Sequence, residues 1–412
     1  MDQIHYELFT LDNGLRVVVH EDHSVPKVVL NIIYRVGSKD EQEDRTGFAH
    51  LFEHLMFGGS ANIPSYDVAL QRVGGENNAY TTTDVTNYYL TLPSHQAESA
   101  FWLESDRMLE LDFSQRSLDV QKSVVIEEFK QRYLNKPYGD AHLLLRAEAY
   151  KVHPYRWPTI GREIAHIEGA QLEHVKDFFY GFYAPNNATL VVAGDITLEE
   201  AKRLSEKWFG PIPRRELRKR PLPQEPAQTE ARSATVHRDV PLPAIFKMYH
   251  IAGRGEAAYY PADFLTDVLS FGKASHLYQV MVKERQVASG IRAFSWGAHD
   301  PGVISIDGTV ARGRTVEEYE SALQEVLEEL QQLADSEVSR VKAAIEMHYV
   351  LEQTQLLNRA MQLAIADSLG DITTVNTSLA QYLALQTAEL RSAAARILHP
   401  SNCSTLYYLP QA

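Results

Sequence analysis

His50, Glu53 and His54 stand in the order H-x-x-E-H within the stretch 47–58. On a helix, positions i and i+4 lie one above the other, so His50 and His54 share a face, and Glu53 points to the same side. Two neutral imidazoles placed this way can hold one Zn²⁺, and a carboxylate beside them can take a proton from a water. A single buried histidine is usually just a hydrogen-bonded core residue. Two at this spacing, with a glutamate between them, favour a metal. Phe48, Leu51, Phe52, Leu55, Met56 and Phe57 make the helix apolar nearly all round, which predicts burial and obliges each polar group to find a partner. A third ligand is sought in the apolar run 124–129, which carries Glu127 and Glu128. Adjacent helical residues point about 100° apart, so only one of the two can face the metal. Glu128 follows Val124 by four and Val125 by three, but Glu127 also follows Val124 by three, and the residues alone leave both open.

The elements that position these groups read in order. Residues 6–36 predict two or three strands, with a turn at Asp12, Asn13 and Gly14. An acidic loop, Ser38 to Arg45, leads to the histidine helix, with Thr46 or Asp44 as its expected N-cap. A short helix near Tyr66–Val73 precedes a glycine-flanked polar stretch, 74–83, and a strand from Thr86. That stretch suggests an edge strand on which an extended peptide docks, with a surface hairpin as the alternative. Helices are expected at Gln96–Leu109, Ser114–Tyr133, Asp140–Ala149, Gly169–Tyr180 and Leu198–Trp208, with a strand at 188–194.

Five prolines and a basic cluster from Arg214 to Arg220 mark an exposed linker, and the cluster is expected to be a solvated face of it. The predicted domains are 1–210, a linker at 211–234, and 235–412. The second half repeats the first: Tyr34 matches Tyr249 and Pro185 matches Pro400, each 215 residues on, while Leu55 matches Leu269 at 214. Under this offset His50, Glu53 and His54 fall on Phe264, Asp267 and Val268, so only the first copy is built for metal there.

A net charge of −14 argues against a nucleic-acid binder and permits basic peptide substrates. The lone cysteine, Cys403, excludes a disulfide framework and a thiolate metal site. No run of about 18 apolar residues predicts a membrane span. The N-terminus lacks signal-peptide character, so the expectation is a cytoplasmic protein, or a periplasmic one if a signal peptide has been removed.

Over its whole length the sequence resembles the pitrilysin/insulinase family of zinc metallopeptidases, and most closely the short bacterial and mitochondrial-processing-peptidase-like members. The likeness is carried by residues 47–59, by Gly74, Gly75, Glu76, Asn77, Asn78, Ala79, Tyr80 and Thr81, by 124–128, by His153-Pro154-Tyr155, and by Ser275 to Gln279. It implies one Zn²⁺ per chain on His50, His54 and Glu128, with Glu128 chosen over Glu127, and Glu53 as general base. It also implies substrate peptides adding to the edge strand through Asn77, Asn78, Ala79, Tyr80 and Thr81. The implied fold is α+β: two homologous domains, each a mostly antiparallel sheet with helices packed on one side, closing as a clam shell around a chamber. Two departures from the family pattern stand out. Gln121 replaces an acidic residue seven before the zinc glutamate, and Val282 and Ser289 replace an Arg and a Tyr that bind substrate and steady the oxyanion. The expectation is therefore a zinc endopeptidase subunit completed by a homologous partner carrying Arg and Tyr, with a homodimer as the simpler assembly. The rival expectation is a non-catalytic scaffold subunit of a larger complex.

Overall fold

The computed structural model describes residues 3–218 and 220–411. They form two compact units, each α+β with a mixed, mostly antiparallel sheet. The first unit comprises the described residues up to Phe129, Trp157–Leu222 and Val350–Asn376. The second comprises Lys130–Arg156, Pro223–Tyr349 and the described residues from Thr377 on. The division near 222 falls inside the stretch 211–234. Two segments, however, belong to the unit opposite to the one their place in the sequence suggests. These segments carry the helices Ala141–Ala149 and Leu356–Ser368, whose starts are 215 residues apart (356 − 141), the same offset as the repeat. Each copy of the duplicated fold thus receives the equivalent helix from the other copy's stretch of chain.

In the first unit, strands β1 (Glu7–Thr10), β2 (Arg16–Glu21), β3 (Lys27–Tyr34), β4 (Glu76–Thr81), β5 (Thr86–Pro93) and β6 (Ala188–Gly194) are ordered β1-β2-β6-β3-β5-β4. All pairs are antiparallel except β2 with β6. The central strands β3 and β6 are buried on both faces, which is why they read as mostly apolar runs rather than alternating ones. Val29 and Ile33 of β3 face Ala360, Leu363 and Ala364 of the Leu356–Ser368 helix.

That helix is tied down by one carboxylate. Asp367, with a side chain only 2% exposed, accepts from Arg16 (2.5 Å) and Arg35 (2.7 Å) and from the Thr189 hydroxyl (2.6 Å). Burial alone would raise this carboxyl. The hydrogen bonds from Arg16 and Thr189 and the Arg35 charge outweigh burial and hold it below its ordinary range. A depressed carboxyl stabilises the fold above its unfolded value and loses that contribution as pH falls. Asp367→Asn is therefore expected to cost about 2 kcal/mol at pH 7, less than a fully buried pair because both arginines can rehydrate. In urea titrations the gap from wild type should narrow below about pH 4. A gap that is absent, or that widens with acid, would show that the carboxylate does not anchor the helix.

The second unit orders β7 (Arg232–Arg238), β8 (Ala244–His250), β9 (Ala288–Trp296), β10 (Val303–Val310) and β11 (Cys403–Pro410) as β7-β11-β8-β10-β9, with β7 and β11 parallel. One face packs on the Tyr259–Ser270 and Val316–Glu329 helices, and the other receives Leu145 and Ala149 of the Ala141–Ala149 helix. The basic cluster is not simply solvated. Arg215 lies over Phe179 and Tyr180 and donates to the Tyr183 and Leu109 carbonyls. Lys219, within the same cluster, lies outside the described residues.

Candidate active site

The histidine helix spans Phe48–Leu55. Its N-cap is Gly47 rather than Thr46 or Asp44, with φ of 89°, and a Cβ there would meet the Ile160 carbonyl oxygen at 2.7 Å. The capping oxygens come from further back. The buried Glu41 carboxylate accepts the Gly47 N–H at 2.9 Å and the Ala49 N–H at 2.8 Å. Burial pushes Glu41 well above the ordinary carboxylate range, against the pull of those two donors. Thr46 instead takes the Arg162 N–H with its hydroxyl, 2.8 Å away. Phe48, Ala49, Leu51, Phe52 and Leu55 are buried, with Phe52 against Phe178 and Tyr183. The helix is therefore not buried all round: His50, Glu53 and His54 occupy a half-buried stripe.

Glu128 lies one residue before the end of the Gln115–Phe129 helix. The buried Val125 and Phe129 fix that helix's phase, while Val124 is 44% exposed and contributes nothing to an inward face. Glu127 is turned to solvent and Glu128 is half-buried. A Glu128 oxygen stands 3.6 Å from His50 Nε2 and 3.4 Å from His54 Nε2, and the three ligand atoms lie within 4.8 Å of one another. Tetrahedral Zn²⁺ with bonds of about 2.0–2.1 Å separates its ligands by about 3.4 Å, so the donor types suit that ion and the two Glu128–histidine distances match its spacing. Among the described residues this is the one group of three or more His, Cys, Asp or Glu side chains with metal-ligand spacing. In the second copy Phe264 and Val268 are buried hydrocarbon. Asp267 is pushed up to about 6, by burial first and then by Asp263.

Glu53 is held from the sheet. The Thr81 hydroxyl donates to Glu53 Oε2 at 2.5 Å. Behind it, burial first, and the Glu53 charge among smaller causes, raise the Tyr88 and Tyr183 phenols, which keeps them neutral. Thr81 ends β4, which carries Asn77, Asn78, Ala79 and Tyr80 and forms the outer edge of its sheet. Along that edge Asn77 donates to Asp67, and Asn78 Oδ1 accepts the Ala79 N–H at 2.8 Å. Gln121, two turns before Glu128, places its amide nitrogen 3.8 Å from where a Cβ on Gly58 would stand. In the second unit Val282 packs against the core, and the Ser289 hydroxyl donates to the Thr309 carbonyl. Glu41 was not legible as a cap, and Thr81 was legible only as an edge-strand residue, because neither contact follows helical or strand spacing.

Among the described residues the structure thus combines a duplicated sheet-and-helix fold with two histidines and a glutamate that converge in the first copy. The profile described as Insulinase (Peptidase family M16) matches residues 16–163, and that described as Peptidase M16 inactive domain matches 169–345. The chain belongs to this insulinase/pitrilysin-type family. It is 29% identical over 343 residues to the zinc protease PqqE of Helicobacter pylori, covering 82% of this chain and 76% of that protein. It is 25% identical over 323 residues to the uncharacterized zinc protease YmxG of Bacillus subtilis, covering 77% of each. The crystal structure of a protease from Helicobacter pylori superposes with a TM-score of 0.94 at 25% identity, covering 99% of this chain and all of that one. Pitrilysin shares the fold at 17% identity with a TM-score of 0.78, and the chain spans 45% of its length. Among the described residues no helix is long and apolar enough to cross a membrane.

Proposed function

We propose that the chain is the zinc-bearing subunit of a two-component metalloendopeptidase that hydrolyses peptides or unfolded segments within a clam-shell chamber. The observation that carries this reading is the convergence of His50, His54 and Glu128 at zinc-ligand spacing, beside a Glu53 held by the edge strand. The names of the relatives as zinc proteases support it. In this reading His50, His54 and Glu128 hold one Zn²⁺, which when bound supplies Lewis-acid polarisation of the scissile carbonyl and acidifies water. The chain's own residues then seat the peptide and move the proton. An extended peptide pairs with β4 through the backbone of residues 77–81. The Thr81 hydroxyl orients Glu53 through Oε2, and the Glu53 carboxylate takes a proton from water and returns it to the leaving amine. Gln121 is assigned a supporting role behind the ligands, as a neutral amide where an acid would add charge. Val282 has no donor and the Ser289 hydroxyl is directed to the Thr309 carbonyl, so a homologous subunit bearing Arg and Tyr completes the site. The testing experiment is a peptidase assay on the zinc-loaded chain, alone and with such a subunit. No hydrolysis in either arm would overturn the reading.

A further inference from the structure

The second unit holds an arginine that has no carboxylate at ion-pair distance among the described residues. Arg146, on the Ala141–Ala149 helix, lies with its guanidinium carbon 3.8 Å from the centre of the Trp296 ring. Its Nη1 donates to the Tyr155 carbonyl at 3.0 Å, and its Nε is enclosed without an acceptor. Burial pushes it down to about 10, and the groups that act against this shift are the phenols of Tyr150, Tyr133 and Tyr155, not a carboxylate. By contrast the enclosed Arg107 is paired with Glu104, and the partly exposed Arg16 and Arg35 with Asp367. Arg215, also half-buried without a carboxylate at ion-pair distance, gives donors to two carbonyls instead. Acidic residues outnumber basic ones 54 to 40, so the missing partner does not reflect a shortage of acids. A desolvated, unpaired cation is costly to keep, which is accounted for if its partner arrives from outside. The surroundings say what kind of partner. Trp296 sits 5.0 Å from the His142 ring and 5.8 Å from Phe294, so the cation is flanked by aromatic surface at the end of β9. Nη2 has no hydrogen-bond partner among the described residues and is not enclosed, so it is the guanidinium nitrogen that a carboxylate from outside can reach.

We propose that Arg146 and Trp296 form a subsite for a carboxylate carried by a peptide beside an apolar or aromatic residue. The kind of ligand rests on the peptidase reading, so the test reads binding rather than turnover. Zinc-loaded Glu53→Gln protein is titrated with three labelled peptides of one apolar sequence. One is amidated with a glutamine, one is amidated with a glutamate in its place, and one has the glutamine and a free C-terminal carboxylate. At low salt at least one carboxylate peptide should bind about 10-fold tighter than the neutral one, and which one does so identifies the source of the carboxylate. Arg146→Gln should erase that preference without changing the affinity for the neutral peptide, and Arg146→Lys should restore part of it. Thermal midpoints of both variants should stay close to the wild type, because relief of the unpaired buried charge offsets loss of the Tyr155 hydrogen bond and the Trp296 contact. Equal affinities for all three peptides, or a preference that survives Arg146→Gln, would overturn the subsite alone. Failure to bind any of the peptides would count against both the subsite and the peptidase reading.

Discussion

Glu53→Gln is expected to keep its zinc and to lower peptide hydrolysis by a factor on the order of 10² or more, assayed with whatever subunit completes the site. The two halves of this expectation come from different atoms. In the proposed site metal affinity resides in His50, His54 and Glu128, whose donor atoms lie within 4.8 Å of one another without Glu53. Glu53 reaches instead toward β4, where the Thr81 hydroxyl engages one of its oxygens. A glutamine can still accept that hydrogen bond, so the local structure should survive. It cannot take a proton from water at neutral pH, so the chemistry should not. Retained turnover in a zinc-loaded variant would remove Glu53 from the role of base. Loss of zinc together with activity would mean that Glu53 helps to hold the metal.

The second large effect concerns assembly. The purified, zinc-loaded chain is expected to be nearly inactive on unstructured peptides, and a homologous subunit with Arg and Tyr at the positions of Val282 and Ser289 should restore activity. Valine donates no hydrogen bond, and the Ser289 hydroxyl is directed to the Thr309 carbonyl. A missing oxyanion donor typically costs about 10²–10³ in rate. Arg285, a nearby cation that could substitute, is engaged by Glu325. The assay is run beside light scattering, so that activity is assigned to a defined oligomer. Robust hydrolysis by the monomer or homodimer would refute the two-subunit proposal and direct attention to Arg285 or Tyr278.

What the sequence made legible was local or periodic. His50, Glu53 and His54 follow from helical spacing, and the duplication from one recurring offset. The β4 edge is one of two readings of a polar, glycine-flanked run, the other being a surface hairpin. The choice between Glu127 and Glu128 needed more than spacing. Val124, which reads as core, is exposed, and it is Val125 and Phe129 that turn the helix. The cap on the histidine helix comes from Glu41, six and eight residues from the amides it accepts, a reach that no helical pattern encodes. The exchange of the Ala141–Ala149 and Leu356–Ser368 helices between the units was equally hidden. It is a fact of connectivity, and each helix has the same apolar pattern whichever sheet it covers.

The most direct test of the central claim is elemental analysis of zinc in the dialysed wild-type chain, in Glu128→Gln and in Glu127→Gln. The account predicts about one zinc per wild-type chain, a marked loss in Glu128→Gln and near-wild-type content in Glu127→Gln. A wild-type chain without zinc, or loss in Glu127→Gln with retention in Glu128→Gln, would contradict it.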